Sequence, residues 1–511
     1  MHSVGSALEQ NFLRLKQALD LAVKHHSTGN LSEAEDIYQQ ILQANPNEPA
    51  ALHLLGVIAY QVGDNVRAVD LITKVLAIKP DYAEAHSNLG LALQNQGRLK
   101  EAVTNYQKAI DIEPEYAQAH NNLGIALQEI GQPEEALASY QMAIKIKPDH
   151  AKAYNNLGLV LKSLGKPEEA IANYQKALAI EPDYAKAHCN LGSTLQELGK
   201  PDEAVASYQK AVDVKPDYAE AHRNLGIALK KLGRPEEAVV SYNKAIDIKP
   251  DYAEAHYNLA NAFQELGKVD EAVENYQKAL AIRPDYAEAH CNLGNTFQGL
   301  GKLDEAVVSY QKAVDIRPDY AEAYCNLGAA LQELGQLDEA LVHYHKAINV
   351  KPDYAVAHSN LGVALKELGQ LEEAFKSCRR AVAFDPQNNG FWGGLAESFE
   401  AISFTSVDDE LLQDLLHLLE TPTVRPSQVI RPLINALLCY PEFSQLLELM
   451  SSEKAGIGIA YGDMAEQLSE TPLFLRIMQL CPINDMKIEW MLTFLRQAML
   501  QETMAGNTDE K

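Results

Sequence analysis

The sequence has little tryptophan, few cysteines and no long apolar run. Two residues are Trp and six are Cys, and the cysteines form neither a CxxC pair nor a compact disulfide spacing. We interpret them as reduced thiols that mostly pack in the core. No apolar stretch approaches the length of a membrane span, and residues 1–16 lack the apolar core of a signal peptide. We therefore expect a soluble, cytoplasmic protein that does not enter a membrane.

Positive charge is also scarce, since 44 Lys and Arg stand against 70 Asp and Glu, a formal net charge of -26. Nucleic-acid binding depends on clustered cations, so the charge argues against a nucleic-acid partner. The motifs GxGxxG after a strand pattern, GxxxxGK[ST], HExxH and GxSxG are all missing. We therefore predict a protein that is not an enzyme and has no cofactor. An enzyme would need a nucleotide-sugar or S-adenosylmethionine site.

One period of 34 residues organises most of the chain. Eleven prolines follow it: Pro46, Pro80, Pro114, Pro148, Pro182, Pro216, Pro250, Pro284, Pro318, Pro352 and Pro386. Glycines repeat at the same step from Gly56 to Gly362, with Ala260 in the one gap. Such a period is typical of stacked helical units, each of which buries its apolar face only against its neighbours.

Residues 219–252 show what one unit contains. Apolar residues recur at helical spacing over 221–232 and 238–248, which predicts two helices. Asp217 with Glu220 suggests a capping box at the start of the first helix. Pro235 suits the first turn of the second helix, and Pro250 cannot continue it. We expect Gly226 to lie where the two helices approach closely.

The succession NLG, G, EA, YxKA and P resembles the tetratricopeptide repeat over about residues 15–388, as eleven units of which residues 15–48 are the weakest. The resemblance implies an all-α fold, a right-handed α-solenoid whose first helices line a concave groove for a partner peptide. Ile72 and Cys378 stand where the repeat usually has Tyr, and Leu54 interrupts the asparagine pattern described below. We therefore interpret the second and eleventh units as packing adaptors.

The regions outside the period are assigned separately. We predict an N-terminal capping helix over residues 1–14, a half-repeat over 389–404, a small helical C-terminal domain over 405–500 and a disordered tail over 501–511. The C-terminal helices are expected over residues 407–419, 427–439, 472–481 and 485–500. Residues 471–500 resemble the segment that links TPR arrays to methyltransferase domains in some bacterial fusion proteins, and a second protein partner could dock on this domain.

Histidines recur once per unit, and Tyr154 and Tyr324 take the same place in two units. The set is His86, His120, His188, His222, His256, His290 and His358. A metal site needs several ligands that converge, whereas one imidazole per unit that interchanges with Tyr suits a packing role. We therefore predict no metal site.

Asparagine recurs two residues before each periodic glycine in nine consecutive units. The set is Asn88, Asn122, Asn156, Asn190, Asn224, Asn258, Asn292, Asn326 and Asn360. Asn is a mediocre helix former, and the residue before it varies from Ser87 to Arg223, so copying alone does not explain its recurrence. An amide side chain can match the C=O and N–H of any peptide backbone.

This pattern resembles the asparagine ladder in the TPR arm of protein O-GlcNAc transferases, which holds substrate polypeptide by its main chain. The alternative is that each Asn bonds the adjacent helix within the scaffold. A carboxylate clamp like that of co-chaperones is incomplete, because its last unit needs Arg where this chain has Asn, although Lys152 and Lys186 could attract an acidic peptide.

These observations predict a protein-interaction scaffold that binds extended polypeptide in a groove. The alternative is an accessory subunit that presents substrates to a separate glycosyl- or methyltransferase. Co-purification with such an enzyme would favour the alternative.

Overall fold

The computed structural model describes residues 2–399, 409–420, 433, 435–441 and 443–444, with side chains from Arg14 onward. It divides into two compact units, Met1–Gly267 and Lys268–Lys511, which we call the N-terminal and C-terminal units. Secondary structure in the described residues is helical, so the prediction of an all-α solenoid is confirmed. None of the helices described has both the length and the apolar character required to span a bilayer.

The N-terminal unit is a succession of helix pairs, each packed on the next. Its helices are α1 His2–Ser27, α2 Leu31–Ala44, α3 Pro49–Gln61, α4 Asn65–Ile78, α5 Ala83–Asn95, α6 Leu99–Ile112, α7 Ala117–Ile130, α8 Pro133–Ile146, α9 Ala151–Ser163, α10 Pro167–Ile180, α11 Ala185–Glu197, α12 Pro201–Val214, α13 Ala219–Lys231, α14 Pro235–Ile248 and α15 Ala253–Glu265. From α3 onward, odd-numbered helices are the first helices of their repeats and even-numbered helices are the second.

The C-terminal unit continues the same pattern within its described part. Its helices are α16 Val269–Ile282, α17 Ala287–Gly299, α18 Leu303–Ile316, α19 Ala321–Glu333, α20 Leu337–Val350, α21 Ala355–Glu367, α22 Leu371–Phe384, α23 Asn389–Phe399 and α24 Asp409–Glu420. Here too each first helix packs against its own second helix and against the first helix of the next repeat.

A glycine and a tyrosine sixteen residues later fix the crossing of the two helices in a repeat. A Cβ atom added at Gly226 would lie 2.5 Å from the ring of Tyr242, which is 1% exposed. The predicted close approach is therefore confirmed. In the repeats with Ile72 and Cys378 the glycine meets these smaller side chains instead. A Cβ atom added at Gly56 would lie 2.7 Å from Ile72 Cγ1, and one added at Gly362 would lie closer still to Cys378 Sγ.

The helix ends agree with the sequence in part. Gly233 adopts φ +70° between α13 and α14, and Pro235 occupies the first turn of α14 as predicted. The predicted capping box is wrong. The N-cap of α13 is Tyr218, and no side chain caps it, because the helix begins one residue too late for the Asp217 carboxylate to reach its free N–H groups.

The predicted domain boundaries remain predictions. Helix α1 runs unbroken across the expected boundary between residues 14 and 15. Helix α23 covers residues 389–399 of the predicted half-repeat, and α24 covers most of the stretch 407–419. The expected helices over 472–481 and 485–500 and the tail over 501–511 lie outside the described residues, as does most of 427–439.

Candidate functional site: the asparagine ladder

The nine recurrent asparagines lie at one position on the first helix of each repeat. Asn88, Asn122, Asn156, Asn190, Asn224 and Asn258 lie on α5 to α15 in the N-terminal unit, and Asn292, Asn326 and Asn360 lie on α17, α19 and α21 in the C-terminal unit. Asn122 is buried and the other eight are half-buried. We call the side of the first helices that carries them the ladder face of each unit.

The side-chain amide nitrogen of a ladder asparagine donates to the preceding repeat. Asn190 Nδ2 lies 2.8 Å from Asn155 Oδ1, and Asn156 Nδ2 lies 3.1 Å from Asn121 Oδ1. The same separation of 35 residues links Asn224, Asn326 and Asn360 to the thiols of Cys189, Cys291 and Cys325, at 3.7, 3.9 and 3.5 Å. One end of the amide is therefore held by the scaffold in both units.

His53 takes the acceptor place in the repeat where Leu54 interrupts the asparagines. Asn88 Nδ2 lies 2.9 Å from His53 Nε2, and Tyr82 Oη lies 3.0 Å from His53 Nδ1. Because an amide nitrogen only donates, Nε2 accepts and the ring proton is on Nδ1. Burial lowers the pKa of His53, which favours this neutral form.

A tyrosine at the start of the next first helix reaches the same acceptors. Hydrogen bonds join Tyr218, Tyr320 and Tyr354 to Cys189, Cys291 and Cys325. Burial raises the pKa of Cys291 and of Cys325 to about 11, so both thiols stay protonated near neutral pH. In these three repeats the cysteine before the ladder asparagine thus anchors two side chains of the following repeat.

The carbonyl ends of seven of the nine ladder amides fall into two groups. Oδ1 of Asn122, Asn156 and Asn224 accepts from Gln118, Asn155 and Arg223, at 2.8, 3.2 and 3.0 Å. Within the described part of the chain, Oδ1 of four others has no hydrogen-bond partner. These four are Asn88, Asn190, Asn326 and Asn360. Their amides are oriented by the scaffold and retain an acceptor that a ligand could use.

Charged side chains also connect neighbouring first helices. Lys162 lies 2.7 Å from Glu197 and 2.9 Å from Ser193 Oγ in the next repeat, and Lys230 lies 3.7 Å from Glu265. In the C-terminal unit, Gln332 Nε2 donates to Glu367 at 2.8 Å. The two ion pairs and the Gln332 bond span 35 residues, the same step as the asparagine bonds.

The periodic histidines serve the scaffold. In each repeat that carries one, Nε2 bonds the carbonyl oxygen of the proline six residues earlier, as at His222 and Pro216, 3.0 Å. A carbonyl only accepts, so Nε2 carries the proton and ties the first helix to the preceding loop. Trp392 makes the equivalent bond to Pro386 at 2.9 Å. No group of three His, Cys, Asp or Glu that could hold a metal occurs among the residues described.

Family models match the repeats directly. Models described as tetratricopeptide repeat match residues 25–94, 81–149, 115–183, 149–217, 195–240 and 355–388, and one described as TPR repeat matches 228–267, 261–301, 299–335 and 331–369. Together they cover residues 25–388 without a gap, well over half of the chain. The chain belongs to the tetratricopeptide-repeat family. TPR folds are typically non-catalytic and bind protein partners.

Solved TPR structures align with parts of the chain. YrrB, a TPR protein with an unusual peptide-binding site, is 28% identical over 36% of this chain and 95% of its own, with a TM-score of 0.32. MamA is 27% identical over 32% of this chain and 97% of its own, with a TM-score of 0.30. PilF of Pseudomonas aeruginosa is 21% identical over 41% and 96%, with a TM-score of 0.38. A comparison with curated proteins found no match.

The acceptors His53, Asn121 and Asn155 and the three thiols escaped prediction from the sequence. The residue type at their position varies, and variation of this kind is typical of a position without a specific role. The signal that could have revealed them is positional: each immediately precedes the ladder position in its own TPR unit and lies 35 residues before the next ladder asparagine. Asn, His and Cys can all accept a hydrogen bond, so variation in type leaves the role intact.

Proposed function

We propose that this TPR protein is an interaction scaffold whose two units each bind extended polypeptide along their ladder face, through the main chain of the partner. The observation that supports this most is the unpartnered Oδ1 of Asn88, Asn190, Asn326 and Asn360. A backbone N–H is the complement of such an oxygen whatever side chains the partner carries.

The two roles considered for the asparagines are compatible under this proposal. The Nδ2 bond of Asn190 to Asn155 fixes the orientation of the amide, and Oδ1 of the same amide faces the ligand. Orienting the acceptor before binding reduces the entropy that the complex loses, which favours affinity.

The test uses a fluorescein-labelled peptide of repeated Gly-Ser-Gln-Gln blocks, which is uncharged and flexible enough to adopt an extended conformation, and measures its binding by anisotropy. Replacing Asn88, Asn190, Asn326 and Asn360 together with Ala removes four acceptors. Each net hydrogen bond contributes about 0.5 to 1.5 kcal/mol, so affinity should fall at least about tenfold.

The matched control replaces Asn121 with Ala, which removes the scaffold acceptor of Asn156 and leaves the four tested asparagines and the side chains that orient them in place. This control should lose stability and keep its affinity for the peptide once folded. Unchanged affinity of the fourfold variant, with a native circular dichroism spectrum, would refute the ladder proposal. Co-purification with a glycosyl- or methyltransferase would instead favour a substrate-presenting subunit that uses the same face.

A further inference from the structure

Three cations follow one side of helix α13 in the N-terminal unit. Arg223, Lys230 and Lys231 lie at relative positions 0, 7 and 8, with Ile227 at position 4, so the four share one helical face. The ladder asparagine Asn224 belongs to the same helix. This concentration of positive charge stands out in a chain whose net charge is -26.

The guanidinium of Arg223 has no anionic partner in the described part of the chain. Its Nη2 donates to Asn224 Oδ1 at 3.0 Å, and its Cζ lies 5.5 Å from the ring centroid of Tyr252. Its Nε is buried and has no hydrogen-bond partner. Glu220, one turn earlier, forms no ion pair with it. A buried N–H without an acceptor is costly, so the site is incomplete by itself.

Three other arginines of the same unit are paired. Arg234 makes two bonds to Glu237, at 2.6 and 2.7 Å, and Arg98 makes two to Glu101, both at 2.7 Å. Arg67 lies 2.7 Å from Glu35. The chain has more carboxylates than cations, yet the half-buried Arg223 pairs with none of them. Its guanidinium therefore remains available to an anionic group of a partner.

A cleft of about 210 Å³ lies beside the cations. Ile227, Lys230, Lys231, Tyr242 and Asn258 line it. Lys230 is 3.7 Å from Glu265, whereas Lys231 is exposed and makes no ion pair with any described residue. Lys230 and Lys231 therefore border a small partly apolar recess that the ladder asparagine Asn258 also lines.

We infer that this segment of the ladder face, which we call the α13 basic segment, binds an acidic side chain of the extended polypeptide. A Glu or Asp carboxylate of the partner would accept from the guanidinium of Arg223, and Lys231, eight residues further along α13, would pair with a second acidic side chain. Paired donation from a guanidinium suits a carboxylate better than a single ammonium does. The inference rests on the proposed function and adds the chemical class of the partner.

The experiment compares two labelled peptides, one of repeated Gly-Ser-Glu-Glu blocks and one of equal length in which Gln replaces every Glu. The wild-type protein should bind the acidic peptide about tenfold more tightly. Arg223→Gln and, separately, the exposed Lys231→Gln should reduce this preference, and added salt should weaken it. Arg234→Gln is the matched control, because Arg234 is already paired, and should keep the full preference.

The outcomes separate this inference from the function on which it rests. Equal affinity of the wild-type protein for the two peptides overturns the acidic preference. The ladder proposal still stands in that case if the fourfold asparagine variant binds the Gln peptide more weakly than the wild-type protein does. Binding of neither peptide overturns both. An oligothymidylate of equal charge that binds as tightly as the acidic peptide would show that the α13 basic segment does not select polypeptide. Lys231→Gln keeps the test valid if Arg223→Gln does not fold.

Discussion

The side-chain amide of Asn190 donates to the side-chain carbonyl of Asn155 at 2.8 Å, across the boundary between two repeats. The two residues are 35 positions apart, one period plus one residue. Asn155 is fully buried and Asn190 is half-buried, so the bond joins the core of one repeat to the ladder face of the next. The orientation of each ladder amide is thus set by the repeat before it.

This bond predicts coupling between the two asparagines. Asn190→Ala should cost about 0.5 to 1.5 kcal/mol of unfolding free energy. Asn155→Ala should cost more, because Asn155 also donates to Asn156 Oδ1 at 3.2 Å. The double variant should lose less unfolding free energy than the sum of the losses in the two single variants, as measured by urea unfolding in a double-mutant cycle. Simple additivity would mean that the bond contributes nothing to stability.

The crossing of α13 and α14 predicts a strong effect of a single methyl group. In Gly226→Ala the new Cβ would meet the Tyr242 ring at 2.5 Å, so overpacking should lower the unfolding free energy by about 1 to 3 kcal/mol. Gly299→Ala on α17 is the control, because nothing lies within 4 Å of its new Cβ. It should be neutral or stabilising by up to about 1 kcal/mol, since Ala is the better helix former. Similar denaturant midpoints for both variants would contradict the assigned crossing.

Stability should fall as the pH drops below about 6.5, the ordinary histidine pKa. Burial lowers the pKa of His290 and of His358, and Nδ1 of His358 is buried without a hydrogen-bond partner. A proton bound there would leave a buried N–H unpaired. The unfolded chain therefore takes up these protons at higher pH than the folded chain does, and the stabilisation present above about pH 6.5 is lost on acidification.

Thermal midpoints measured between pH 7.5 and pH 5.5 check this. The double variant His290→Tyr with His358→Tyr is the control, because Tyr154 and Tyr324 occupy the same position in other repeats. It should lose less stability on acidification than the wild-type protein. An equal loss would assign the pH dependence to other groups.

Removal of repeats from the C-terminus should lower stability in steps and uncover one thiol at a time. A chain that ends at Pro352 lacks Tyr354 and Asn360, both of which bond Cys325, while Tyr320 and Asn326 still cover Cys291. Iodoacetamide followed by mass spectrometry should then label Cys325 much faster than Cys291, whereas both are slow in the full chain. Equal rates in the shortened chain would contradict the assigned contacts.

The features that could be predicted from the sequence are those for which one residue type has one conformational role, such as Pro at the end of a helix or Gly at a close helix crossing. The 34-residue steps of Pro and Gly predicted the helix pairs, and Gly226 predicted the close crossing. The capping box failed because a single-residue shift in the start of α13 moves Asp217 out of range. The bond from His222 to the Pro216 carbonyl was not predicted, because a backbone acceptor leaves no mark in the side-chain sequence.

The unpaired state of Arg223 could not be predicted either. Glu220 lies three residues before it, a spacing at which an ion pair on one helix is common. Only the structure shows that the guanidinium instead bonds Asn224 and approaches the ring of Tyr252.

The offset of one residue beyond the period bears on how such an array can change in length. Deleting residues 156–189 would join Asn155 to Asn190 and keep the NNLG motif intact. Asn190 would then take the place of Asn156, whose own partner is Asn121 Oδ1. The donor at this junction would still meet an acceptor, and the same holds for an inserted copy of residues 156–189. Gain or loss of a whole period therefore changes stability by the contribution of one repeat and keeps the hydrogen bond across the new junction, so recombination between repeats can lengthen or shorten the ladder face.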